Sequence, residues 1–179
     1  MRKAVFLDRD GTLNADLGYV HKKEDWHWLP HVIEGLARLR AAGFALVVVS
    51  NQSGIARGMF EAEQVDALHA WVNAQLAPHK AAVDAFYYCP HLPEVTGPCA
   101  CRKPLPGLLL QAARDMDIDL ATSWMLGDRA RDAQAGLAAG CRAVVIGTDG
   151  EGKLPAGVVA CRDFAAACTY ILETGRSDV

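Results

Sequence analysis

Residues 44–49 read Phe-Ala-Leu-Val-Val-Val, six apolar residues without a polar break. A strand of that kind has no solvent face, so it belongs inside a sheet covered on both sides. The rest of the chain supplies the covers. Shorter strand-like runs stand at 4–7, 85–89, 124–127 and 142–147, with a weak one at 158–160. Helical spacing fills 32–43, 61–79, 107–116, 130–140 and 164–173, and Gly43 and Gly140 stand where C-caps belong. On 61–79 the apolar face is Val65, Leu68, Trp71, Val72 and Leu76. Repeated β-α-β units with short connections predict a parallel sheet between two helical layers, an α/β three-layer Rossmann-like architecture. The 179 residues suit one domain, 1–179. The one long connection, 90–105, is expected to lack secondary structure of its own.

Ligands of such sheets bind beyond the carboxyl ends of the strands. The first strand is followed by "DRDGT" (8–12), the second by "SNQSG" (50–54), the third by a cysteine segment and "RKP" (102–104), the fourth by "GDRARD" (127–132). Every polar cluster thus falls at one end of the sheet. Asp8 and Asp10 offer a carboxylate that attacks without first losing a proton, and a second that holds a proton and acts as acid, then base. Crowded carboxylates call for a cation, and hard oxygen ligands, with Asp128 as a third, favour Mg²⁺. Ser50 and Lys103 suit the holding of phosphoryl oxygens. Together these groups describe phosphoryl transfer through an aspartyl-phosphate.

"FLDRDGTLN", "VVVSNQSGIARG", "CRKP" and "GDRARD" resemble, in order, the four motifs of the haloacid dehalogenase superfamily of phosphatases, over about residues 4–147. The resemblance implies that Asp8 is the nucleophile and Asp10 the acid/base. It makes Ser50 and Lys103 the phosphate contacts, and Asp8, Asp128 and the Asp10 backbone carbonyl the Mg²⁺ ligands. Asp132 matches a second acidic position of variable role. "GYVH" (18–21), "YYCPH" (87–91) and "CACRKPLPG" (99–107) are similar to the subgroup acting on heptose bisphosphates and histidinol phosphate. That similarity implies substrate contacts from Gly18, Tyr19, Asn51, Gln52, Ser53, Arg102 and Arg129, with His21 a further candidate. Relatives commonly carry lysine where this chain has Arg129, a planar fork in place of a point charge. The implied reaction is removal of the 7-phosphate of a heptose 1,7-bisphosphate, in supply of ADP-heptose for the lipopolysaccharide core. Histidinol phosphate is the alternative substrate, and a zinc-organised binding module without catalysis the alternative class.

Cys89, His91, Cys99 and Cys101 form two ligand pairs within 13 residues. Three thiolates and an imidazole suit tetrahedral Zn²⁺, and four protein ligands close the site, so the ion is structural. It would fix the chain just ahead of Arg102 and Lys103 and offset the entropy of ordering a long loop. Cys141, Cys161 and Cys168 are expected to pack in the core. His31, His69 and His79 are expected to face solvent, as is Arg131. Trp26, His27 and Trp28 belong to a flap-like stretch within 13–30. Only 37 residues separate Thr12 from Ser50, and 52 separate Ser50 from Lys103, too few for a cap domain in either gap. A net charge of −3 and the lack of a basic stripe disfavour nucleic acid. No apolar run reaches a membrane span, and the start lacks a signal-peptide pattern. The expectation is a cytoplasmic monomer acting on a small phosphorylated sugar.

Overall fold

The computed structural model describes residues 1–147 and 153–175, so two parts of the expected 1–179 domain, 148–152 and 176–179, lie outside the described residues. Strands β1 (Ala4–Leu7), β2 (Ala45–Asn51), β3 (Ala85–Cys89), β4 (Trp124–Gly127), β5 (Arg142–Ile146) and β6 (Val159–Cys161) form one sheet. All neighbours pair in parallel, in the order β3-β2-β1-β4-β5-β6. The chain builds outward from β1 through β2 to β3, then returns to lay β4 on the other side of β1. The turning point between β1 and β4 opens a crevice at their carboxyl ends.

The missing alternation in the apolar runs has its explanation here. Val5, Leu7, Leu46, Val48, Leu126 and Val144 pack under α1 (Val32–Ala41), α2 (Ala62–Leu76) and α6 (Phe164–Thr174). Phe6, Val47, Val49, Met125, Ala143 and Val145 pack under α4 (Gly107–Met116) and α5 (Ala130–Ala139) on the opposite face. Each of the Val, Leu, Phe and Met side chains among these contributes about 1.5–3 kcal/mol by its burial.

Three expectations shift. The second strand begins after Phe44, whose N–H still closes α1 on Leu39 O, and it runs on through Ser50 and Asn51 by pairing with Tyr88 and Cys89. The helix expected over 61–79 stops at Leu76 and ends in a 3₁₀ turn, Ala77–His79, because Pro78 has no N–H to continue it. The 90–105 connection holds a short helix, α3 (Pro93–Thr96). Thr96 Oγ1 both accepts from Leu92 N–H and donates to Leu92 O, at 3.0 Å each, around the buried Leu92 side chain.

Between β1 and β2 lie only the flap and α1; between β2 and β3 lie α2 and its 3₁₀ turn. Neither connection holds a cap. The flap is packed down: Trp26 is buried with Trp28 edge-on to it at 5.1 Å, while His27 is exposed. Ala15 N–H on His27 O and Leu29 N–H on Leu13 O tie its two limbs together. No helix among the described residues is long and apolar enough to cross a membrane.

Candidate active site

Asp8 is the first residue beyond β1, and its N–H donates to Leu126 O of β4 across the crevice. Its carboxylate lies 2.6 Å from Lys103 Nζ, and the same ammonium is 2.7 Å from Asp132 Oδ1 and 2.8 Å from Val49 O. Asp8, Asp128 and Asp132 bring one oxygen each within 4.8 Å of one another. Burial, then Asp132 and Asp128, push the Asp8 carboxyl well above its usual range, with Lys103 acting against them. Desolvation works hardest on Lys103 in the opposite sense, yet Asp132 and Asp8 outweigh it and raise the ammonium's pKa. Lys103 pairs with Asp8 and Asp132 while Arg129 reaches Asp128, and three carboxylates crowded this closely are a setting that a divalent cation would relieve.

The backbone around the carboxylates leaves room for that cation. Gly11 has φ +87°, and a Cβ there would stand 2.2 Å from Asp128 Oδ2. At Gly127 a Cβ would meet Asp132 at 2.4 Å, so only glycine lets the start of α5 close on the strand end. Asp128 Oδ1 is buried without a hydrogen-bond partner, an oxygen of the kind a hard cation takes. Asp132 caps α5 by accepting Arg129 N–H on Oδ2 at 3.0 Å while its other oxygen faces Lys103. The third carboxylate side chain of the cluster is therefore Asp132. The Asp10 carboxylate turns elsewhere, and only its backbone carbonyl is left for a metal.

Asp10 receives Arg9 Nε at 3.2 Å on both oxygens, Arg9 Nη2 at 3.0 Å, Asn14 Nδ2 at 2.9 Å and Gln52 Nε2 at 3.2 Å. Gln52 also donates to Ser50 Oγ at 2.9 Å, beside the end of β2. The Asn51 carboxamide holds Lys103 at both backbone ends: Nδ2 donates to Lys103 O at 3.1 Å, and Lys103 N–H donates to Asn51 Oδ1 at 3.0 Å. The Asn51 and Gln52 side chains thus engage Lys103, Asp10 and Ser50 at the strand ends. Gly18 and Tyr19 are both at positive φ and exposed, and Ser53 is half-buried. His21 stacks on Phe60 at 4.6 Å, and the Arg57 guanidinium lies 5.9 Å from the Tyr19 ring, so the 13–30 and 51–60 segments meet above the crevice. Arg129 reaches Asp128 at 3.3 Å and Asp16 at 4.0 Å, and Arg102 points back to His91 O.

One expectation fails at the site's inner wall. His69 is buried rather than solvent-facing, stacked on Phe86 at 4.5 Å. Arg9, between the two aspartates, is wholly buried as well. His31, His79 and Arg131 are exposed as expected, Cys141 and Cys168 are buried, and Cys161 is half-buried.

Cys89, His91, Cys99 and Cys101 converge, each offering a ligand atom within 4.8 Å of the others. Cys89 Sγ lies 3.7 Å from Cys99 Sγ and from His91 Nδ1, and 2.8 Å from Cys101 Sγ; no disulfide joins them. A tetrahedral ion with ~2.3 Å bonds to sulfur separates its thiolates by roughly 3.8 Å. The Cys89–Cys99 pair matches that spacing, and the Cys89–Cys101 pair is tighter. Burial opposes ionisation of Cys99, but the backbone N–H groups of Arg102 and Cys101 outweigh it and bring the thiol to about 7. The donor set is that of a soft, tetrahedral cation.

Comparison with known proteins agrees with this geometry. Residues 100–167 match the HAD-hydrolase-like family. The chain is 46% identical over 178 residues to the D-glycero-beta-D-manno-heptose-1,7-bisphosphate 7-phosphatase of Pasteurella multocida, covering 97% of this chain and 93% of that one. It is 50% identical over 141 residues to the enzyme of the same name from Yersinia pestis, covering 76% of this chain and 75% of that one. The crystal structure of D,D-heptose 1,7-bisphosphate phosphatase from B. bronchiseptica, complexed with magnesium and phosphate, superposes with a TM-score of 0.87 at 39% identity, covering 96% of this chain and 99% of that one.

Proposed function

Because the chain belongs to the haloacid dehalogenase-like hydrolases, in the group of the heptose-bisphosphate phosphatases, we propose that it removes the 7-phosphate of D-glycero-β-D-manno-heptose 1,7-bisphosphate. The reading is carried by the ion-paired cluster at the strand ends, Lys103 between Asp8 and Asp132. The β anomer follows the names of the relatives, and the product would supply ADP-heptose for the lipopolysaccharide core, a cytoplasmic step.

The Asp8 carboxylate attacks phosphorus, and an Asp8 O–P bond forms as the ester O–P bond breaks. Asp10 gives its proton to the departing sugar oxygen. It then takes a proton from water, whose oxygen displaces Asp8 from phosphorus and releases inorganic phosphate. Ser50 and Lys103 hold the phosphoryl oxygens throughout. The proposed contacts to the sugar and its second phosphate are Gly18, Tyr19, Asn51, Gln52, Ser53, Arg102 and Arg129, of which Asn51 and Gln52 also hold Lys103 and Asp10 in place. Asp8, Asp128 and the Asp10 carbonyl would hold Mg²⁺, which when bound neutralises phosphoryl oxygens as a Lewis acid. Cys89, His91, Cys99 and Cys101 would hold Zn²⁺, which braces the chain ahead of Lys103.

Steady-state kinetics on both anomers of the bisphosphate beside histidinol phosphate test the reading. The β anomer should give the highest kcat/KM, and faster turnover of histidinol phosphate would refute the substrate. Asp8→Asn should stay folded and lose turnover; an active variant removes Asp8 as nucleophile.

A further inference from the structure

We propose that Arg9 is a positioning residue for the acid/base carboxyl of Asp10, with His69 as the fixed acceptor that sets the guanidinium. This inference rests on the phosphoryl-enzyme reading above. Arg9 is wholly buried, which is costly for a guanidinium unless each edge finds a partner. One edge forks onto both oxygens of Asp10. Nη2 also donates to Val20 O in the flap, and Nη1 lies 3.3 Å from His69 Nε2. The guanidinium has only donors, so His69 Nε2 is the acceptor and the imidazole is neutral. Burial first, and Arg9 second, lower the His69 pKa to about 3. Trp26 lies 5.9 Å from Arg9 Cζ on the flap side.

Asp10 needs this grip. Its side chain keeps 21% exposure, so packing alone does not select one rotamer. Asn14 donates to Oδ1 and Gln52 to Oδ2, one neutral hydrogen bond each. The Arg9 fork adds charge-assisted bonds to both oxygens, the strongest restraint on the carboxylate plane, and His69, held by its stack on Phe86, sets the fork. Arg9 reaches the reaction only through the Asp10 carboxyl.

A leaving-group comparison tests this on the full-length, Mg²⁺-loaded protein. Arg9→Lys keeps the charge and loses the fork. On the heptose bisphosphate, whose sugar oxygen needs a proton, kcat should fall on the order of 10²-fold with KM little changed. On 4-nitrophenyl phosphate, whose leaving group needs none, rapid mixing should retain the stoichiometric burst of nitrophenolate. A slowed steady rate should follow, because release of phosphate from Asp8 still needs Asp10 as base. Equal losses on both substrates without a burst, or unchanged rates on both, would overturn the proposal. Should Arg9→Lys fail to fold, His69→Leu is judged by the same two outcomes, with a smaller loss of about tenfold expected. An active Asp8→Asn removes the phosphoryl-enzyme reading and this inference with it. An inert Asp8→Asn beside equal losses in Arg9→Lys overturns this inference alone.

Discussion

Burial and the Arg9 guanidinium hold the His69 imidazole neutral down to about pH 3, whereas in the unfolded chain it takes up a proton near pH 6.5. Between those values the unfolded state binds the extra proton, so stability falls as pH drops from about 6.5 toward 3, by up to about 1.4 kcal/mol per pH unit. Urea unfolding of wild type and His69→Leu between pH 6.5 and 5 isolates this imidazole, because every other titrating group, the raised Asp8 carboxyl included, is common to both. The free energy of the wild-type protein should fall more steeply across that window than that of His69→Leu. Parallel slopes would show that His69 is protonated in the fold. Neither His69 nor Arg9 was legible in the sequence. The apolar face of α2 was drawn through Val65, Leu68 and Val72, and a histidine beside it reads as polar surface. Arg9 owes its burial to Asp10, Val20 and His69, and the last lies 60 positions away with no local pattern to announce it. Asp8, Asp128 and Lys103 were legible because each follows an apolar strand or an anchored loop, and sheet geometry sends all such ends to one place.

The 90–105 segment behaves as two elements. Its first part is anchored by the cysteine–histidine cluster and the small α3 turn; its last part is held by Asn51 on the backbone of Lys103. We expect Cys99→Ser to lose zinc, measured by atomic emission, together with thermal stability and turnover. A loss of about 2 kcal/mol would lower Tm by roughly 4–8 °C in a chain of this size. If zinc left while Tm and kcat stayed unchanged, the cluster would have no bracing role. Ligand spacing alone brought this cluster out of the sequence. The α3 turn was not readable, since a Thr96 hydroxyl closing on the Leu92 backbone is a local bond that competes evenly with an open loop. The early end of α2 was written in Pro78, which periodicity overrode.

Across the whole molecule, net charge is a modest −3, but the crevice concentrates negative charge against a single buried ammonium. A phosphate dianion should therefore enter only with a divalent cation already seated. We predict that millimolar inorganic phosphate raises Tm in the presence of Mg²⁺ and fails to do so after chelation; equal stabilisation with and without the ion would contradict the charge balance. The parallel sheet and its common polar edge were readable from alternating β and α patterns. The order β3-β2-β1-β4-β5-β6 was not, because a parallel crossover can add its strand on either side, and only packing across the finished sheet decides which. The grip of Asn51 on Lys103 reaches beyond catalysis. With the lysine tethered from β2 and Cys101 held in the cluster, the exposed residues 93–95 stand between two cluster ligands, His91 and Cys99. That stretch is a site for grafting: an epitope, a reporter peptide or a surface-attachment tag spliced there would ride on the enzyme without moving its working lysine.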